Sequence, residues 1–158
     1  MGNKKTDSGL FRWTLGAGVF NIVVAFPLSL PFFYQHYYAF FNALNAGAGL
    51  GGGALLPPAD GNGLFVNTMG LALVLVGMMM IYASRDLVNR KGIPLLNAII
   101  RLVFAVFLIY YLAKGQLPWI LTMLGVIDIS ISMNLFYYLH KAGSRQGDHF
   151  KEELEEGI

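Results

Sequence analysis

Residues 92–113, GIPLLNAIIRLVFAVFLIYYLA, and residues 115–139, GQLPWILTMLGVIDISISMNLFYYL, decide the fold of this chain. The first holds a single formal charge in 22 residues, Arg101, and the second a single one in 25, Asp128. At about 1.5 Å of rise per residue, each is long enough to cross roughly 30 Å of hydrocarbon. A helix in a water-soluble core does not stay apolar around its whole circumference over such a length. Working outward, residues 63–83 carry no charge, and no Asp, Glu, Lys or Arg stands between Arg12 and Asp60. The early part of that stretch, through Leu15, Val19, Ile22, Val24 and Leu28, is itself apolar enough to span. Four spans are expected, at about 11–31, 63–83, 94–113 and 118–139, so the fold class is all-α: an integral membrane four-helix bundle.

Composition agrees. The 158 residues are 56% hydrophobic and 13% charged, with a mean hydropathy of +0.56, which is membrane composition. Four spans take up about half the chain at about 20 residues each, so residues 1–140 form one bundle and 141–158 a polar tail, with no room for a separate catalytic domain. The acidic residues Glu152, Glu153, Glu155 and Glu156 near its end read as a solvated face. Cysteine is absent, which excludes disulfides, thiolate nucleophiles, iron–sulfur clusters and Cys-ligated zinc. The net charge of +2 is spread over dispersed Lys and Arg rather than gathered on a face, so no nucleic-acid partner is expected.

The positive charges set an orientation. Lys4, Lys5 and Arg12 precede the first span; Arg85, Arg90 and Lys91 lie between the second and third; Lys141, Arg145 and Lys151 follow the fourth. Against these nine, the opposite side has only Lys114. Both termini are therefore expected in the cytoplasm, with the first helix read as uncleaved.

Two segments depart from plain spanning helices. After Pro27 and Pro31 the chain turns aromatic, with Phe32, Phe33, Tyr34, Tyr37, Tyr38, Phe40 and Phe41 interleaved by Gln35, His36 and Asn42. Proline ends or kinks the first helix, and rings with a polar edge favour the headgroup layer, so a short outer interfacial helix is expected. It is either an anchoring belt or the rim of a site for an apolar or aromatic ligand, with Tyr34, His36, Tyr37 and Tyr38 as the rim candidates. His36 has no second ligand at metal spacing, so no metal site is expected. Residues 45–62, rich in Gly and containing Pro57 and Pro58, lack the strand, helix and Lys of a phosphate loop and read as a flexible outer linker.

Polar residues inside spans must face partners, because hydrocarbon penalises them. Asn21 shares a face with Ala17, Gly18 and Ala25; Gly70 and Gly77 share one with Ser84; Asn97 and Arg101 stand one turn apart; Asp128 is flanked by Gly125 and Ser132. Counted from the cytoplasmic ends, Arg101, Asn21 and Asp128 lie at about 10, 14 and 16 Å. An ion pair between Arg101 and Asp128, buttressed by Asn21 and Asn97, is the economical arrangement.

Ser84-Arg85-Asp86, the basic turn to Gly92, the helix start from Pro94 to Arg101, Tyr110-Tyr111, the turn from Gly115 to Pro118, and Asp128 together resemble the small four-helix bacterial membrane proteins grouped as DoxX-like, BphX-like proteins included, over about residues 63–140. The resemblance implies a four-helix bundle, in some members linked to membrane redox chemistry or to degradation of aromatic compounds. It carries over no catalytic residue. From the residues themselves, no nucleophile and base stand together and no histidine lies within a span, so no catalytic residue, cofactor or haem is expected. The expected function is that of a non-enzymatic accessory subunit, or a binder of a lipid, quinone or aromatic small molecule, in the lipid bilayer and within a larger membrane complex or homo-oligomer. The alternative is a proton- or solute-coupled carrier using Asp128 and Arg101.

Overall fold

The structure, a computed structural model, describes residues 4–58 and 62–156, with side chains described over 8–58 and 62–144. The side chains of Lys4, Lys5, Arg145, Lys151 and the acidic residues from Glu152 onward lie outside that range. Among the described residues the protein is all-α: α1 (Lys4–Ser29), α2 (Tyr34–Gly47), α3 (Gly63–Ser84), α4 (Gly92–Ala113), a 3-10 turn (Trp119–Leu121) and α5 (Thr122–Glu156). Four stretches, Ser8–Ser29, Gly63–Ser84, Gly92–Ala113 and Trp119–Ser144, are long and apolar enough to cross a membrane. The chain is a small integral membrane four-helix bundle, with α2 as a short helix at one end.

Two helix ends differ from the expected spans. α1 stops at Ser29 rather than running to 31, because Pro27 and Pro31 remove backbone donors there. Ser29 Oγ donates to the Phe26 carbonyl at 2.7 Å, and Asn67 Nδ2 of α3 donates to the Leu28 carbonyl at 2.9 Å, so two carbonyls near the helix end find partners. α5 continues to Glu156, well past the expected limit at 139, since no proline interrupts Lys, Gln and Glu, all good helix formers.

The helices pack as two antiparallel pairs. α1 lies along α3 and α4 along α5; α1 also meets α5, whereas α3 touches α4 only lightly. Glycine permits the first pairing. A Cβ at Gly18 would sit 2.8 Å from the Gly77 carbonyl, and one at Gly77 would sit 2.7 Å from the Gly18 carbonyl, so the two backbones touch directly. A core of Leu10, Ala17, Met80, Ala98, Ile131 and Leu135 joins all four long helices. Around it Leu71, Leu75, Met78, Val106 and Phe107 are exposed, as lipid-facing residues are.

The α3–α4 turn closes the end of the bundle away from α2. Asp86 accepts hydrogen bonds from the side chain of Asn89 at 3.0 and 3.2 Å and from its backbone N–H at 3.4 Å. Those bonds, the side-chain ones foremost, hold its carboxyl below the usual carboxylate range. Arg90 stacks on the Tyr82 ring at 3.7 Å and donates to the Tyr82 carbonyl at 3.0 Å.

Candidate functional site

Two features stand out within this frame: a buried charge cluster at mid-bundle and an apolar cavity beneath α2. The cluster is built around Arg101. Its Nε donates to Asn97 Oδ1 at 2.9 Å, one turn back on α4. Nη1 donates to Asp128 Oδ1 of α5, and Nη2 donates to Asn21 Oδ1 and, at 3.2 Å, to the Ala17 carbonyl of α1. The side chains of Arg101 and Asp128 keep only 6% and 9% of their surface exposed. Ser132 Oγ lies 3.1 Å from the Ala98 carbonyl and 2.8 Å from the Asp128 carbonyl, and the Phe20 ring centroid is 5.4 Å from the guanidinium carbon.

Four of the five guanidinium N–H groups are thus committed to protein acceptors on three helices. Because α1 pairs with α3 and α4 with α5, Arg101 bridges the two pairs. Through these bonds the guanidinium ties α1, α4 and α5 together.

The cavity lies at the other end of α4, with a volume of about 520 Å³. It is an open cavity lined from α2 by Tyr37, Tyr38 and Phe41, from α4 by Phe104, Phe107, Leu108 and Tyr111, and from the segments on either side by Leu55, Leu121 and Leu124. The volume lies within the range of about 300–1,000 Å³ typical of small-molecule sites. Burial raises the phenol pKa of Tyr37, and burial followed by the neighbouring Tyr34 raises that of Tyr38.

The contacts of residues 45–55 correct the reading of that part of 45–62 as a flexible linker, while 59–61 lie outside the described residues. Helix α2 takes in Asn45 to Gly47, and the glycines after it pair with the α4–α5 turn. Gly53 N–H donates to the Leu117 carbonyl and Trp119 N–H to the Gly51 carbonyl, both at 3.1 Å. Gly52 has φ +95°, and a Cβ there would run into the Leu117 carbonyl and the Trp119 ring, so only glycine allows this approach. Two asparagines complete the clamp. Asn45 Nδ2 donates to the carbonyls of Leu50 and Gly51 at 3.0 and 3.2 Å, while its Oδ1 accepts from Ile120 N–H at 2.9 Å. Asn42 donates to the Leu55 carbonyl at 2.9 Å and accepts from Leu55 N–H at 2.8 Å, which holds the Leu55 side chain over the cavity.

Of the residues named from sequence, Arg101, Asp128, Asn21 and Asn97 meet in one cluster. The aromatic candidates separate. Tyr37 and Tyr38 line the cavity. Tyr34 is buried with its hydroxyl against Gly63, and its ring meets Tyr38 edge-on. His36 is exposed, its ring 6.1 Å from Phe33, and it does not line the cavity. Sequence reasoning missed Phe104, Phe107, Tyr111 and Leu124, whose character matches that of any lipid-facing residue, and it missed Asn42 and Asn45 as clamps. The Asn at 42 and 45, one turn apart on an otherwise aromatic helix, was the available signal. Compared with known protein families, curated proteins and solved structures, the chain matches none.

Proposed function

We propose that the protein is a non-enzymatic membrane component that binds a lipid, a quinone or another aromatic small molecule in the cavity under α2. The observation that carries this reading is the cavity itself: about 520 Å³, apolar and lined in part by the tyrosines Tyr37, Tyr38 and Tyr111. The commitment of Arg101 to four acceptors supports a structural role for the charge cluster over the carrier alternative. Kinship with the DoxX-like bundles is part of the same proposal and rests on the sequence resemblance over about residues 63–140. Mass spectrometry of small molecules retained through purification in a mild detergent tests the binding. The wild-type protein should carry one discrete compound, and Leu124→Trp, at a position lining the cavity, should lose it while keeping a cooperative helical melting transition. A wild-type protein with no retained compound would count against the reading.

The distribution of Lys and Arg supports an orientation with both termini cytoplasmic and α2 at the outer surface, and the resemblance to small bacterial membrane proteins supports a bacterial inner membrane. Leu56 is 76% exposed and outside the clamp, so Leu56→Cys leaves the fold alone. It should react with a membrane-impermeant thiol reagent on intact cells. Labelling only after the cells are broken would reverse the orientation.

A further inference from the structure

We infer that the cavity selects a lipid-soluble, uncharged amphiphile whose acceptor oxygen, an ester, ketone or ether, receives a hydrogen bond from a tyrosine hydroxyl. The inference rests on the reading of the cavity as a binding site and adds the chemical class of what it holds.

The cavity opens along the side of α4. Among its lining residues the exposed ones are Phe104 (47%), Phe107 (59%) and Tyr111 (46%), spaced three and four apart along one stripe of α4, whereas Leu108 and Leu121 are buried. The mouth is therefore on the flank of a spanning helix. The end of the bundle is shut by the Asn45 and Asn42 bonds and by the pairing of Gly51–Gly53 with Leu117–Trp119. A molecule dissolved in the bilayer meets the open side, and one arriving from water meets the clamped roof.

Among the described residues no Asp, Glu, Lys, Arg or His lines the cavity, so a phosphate or ammonium placed there would lose its hydration without gaining a counter-charge. The side-chain hydroxyls of the lining belong to Tyr37, Tyr38 and Tyr111, and a phenol is a donor suited to a neutral acceptor oxygen. The rest is Leu and Phe surface, which takes up an apolar body without directional demands.

Two probes with the same tails and different heads test the class: dioctanoylglycerol, uncharged with ester oxygens, and dioctanoylphosphatidic acid. Each is titrated into the purified full-length protein in detergent and followed by native mass spectrometry. The expected result is one dioctanoylglycerol per chain, bound at least tenfold more tightly than the phosphatidic acid. In the triple variant Tyr37→Phe/Tyr38→Phe/Tyr111→Phe the neutral probe should weaken tenfold or more and the phosphatidic acid should not change. Retention of the helical melting transition shows that the variant is folded, and Tyr111→Phe alone serves in its place if the triple variant fails to fold. Equal or tighter binding of the phosphatidic acid, or unchanged neutral binding in the folded variant, would overturn the chemical class while leaving the cavity a binding site. Absence of any saturable adduct with either probe would remove the binding reading and this inference with it.

Discussion

Replacing Arg101 by Met, or Asp128 by Leu, should destabilise the protein by about 3–5 kcal/mol, the usual cost of removing one partner from a buried ion pair and leaving the other charge uncompensated. The double variant Arg101→Met/Asp128→Leu should recover most of that loss, because neither charge then remains in the bundle. Recovery should be incomplete. Asn21 and Asn97 lose the guanidinium to which their Oδ1 atoms are bonded, and a buried polar group left without a partner costs about 1–3 kcal/mol. Thermal unfolding in detergent, run as a double-mutant cycle, measures this. Independent sites would give a double variant that loses the sum of the two single losses; coupled sites give one that is more stable than either single variant. The cluster bridges the α1–α3 and α4–α5 pairs, so the single variants should also allow the two pairs to separate at lower detergent concentration than the wild type.

Gly18→Leu should be nearly as damaging, for a steric reason. Its Cβ would lie 2.8 Å from the Gly77 carbonyl, 2.9 Å from Ile81 Cγ1 and 3.0 Å from Met80 Cβ. The nearest of these is backbone and cannot rotate away, so α1 and α3 must move apart, and an overpacked interior site loses about 1–3 kcal/mol or more. Gly16, two residues earlier on the same helix, has nothing within 4 Å of the same added atom. Gly16→Leu should therefore be neutral or stabilising by up to about 1 kcal/mol, from helix propensity alone. The pair of variants has the same chemistry and differs only in which side of α1 it faces, so comparing their melting temperatures isolates the helix crossing. Similar losses at both positions would mean that α1 and α3 do not cross at Gly18 and Gly77.

The spans were legible because hydropathy acts on every residue of a membrane helix, and the charges inside them were legible because hydrocarbon tolerates so few. Arg101 and Asp128 stand out in the sequence for that reason alone, and counting turns from the helix ends brings Asn21 to a similar depth. The roof was not legible. Gly52 pairs with Pro118 through backbone contacts across a separation in sequence that no periodicity reports, and a glycine needed for close backbone approach looks the same in sequence as one in a loose linker. Asn42 and Asn45 read as polar punctuation in an interfacial helix, whereas their bonds go to Leu55, Leu50, Gly51 and Ile120. The cavity was hidden for a further reason. Phe104, Phe107 and Leu124 satisfy the bilayer as well as they satisfy a ligand, so apolar character cannot tell a lining from a lipid-facing side.

The account rests on the cavity under α2 holding a specific molecule in the membrane, and photocrosslinking in living cells tests that most directly. A photoreactive leucine analogue placed at position 124 lines the cavity, and the same analogue at position 75 lies on the exposed face of α3, with Leu75 51% exposed. After illumination, intact-mass measurement of the purified protein reads what became attached. The account predicts one discrete uncharged adduct at position 124 and only the mixed phospholipids of the bulk membrane at position 75. The same phospholipid mixture at both positions would contradict it.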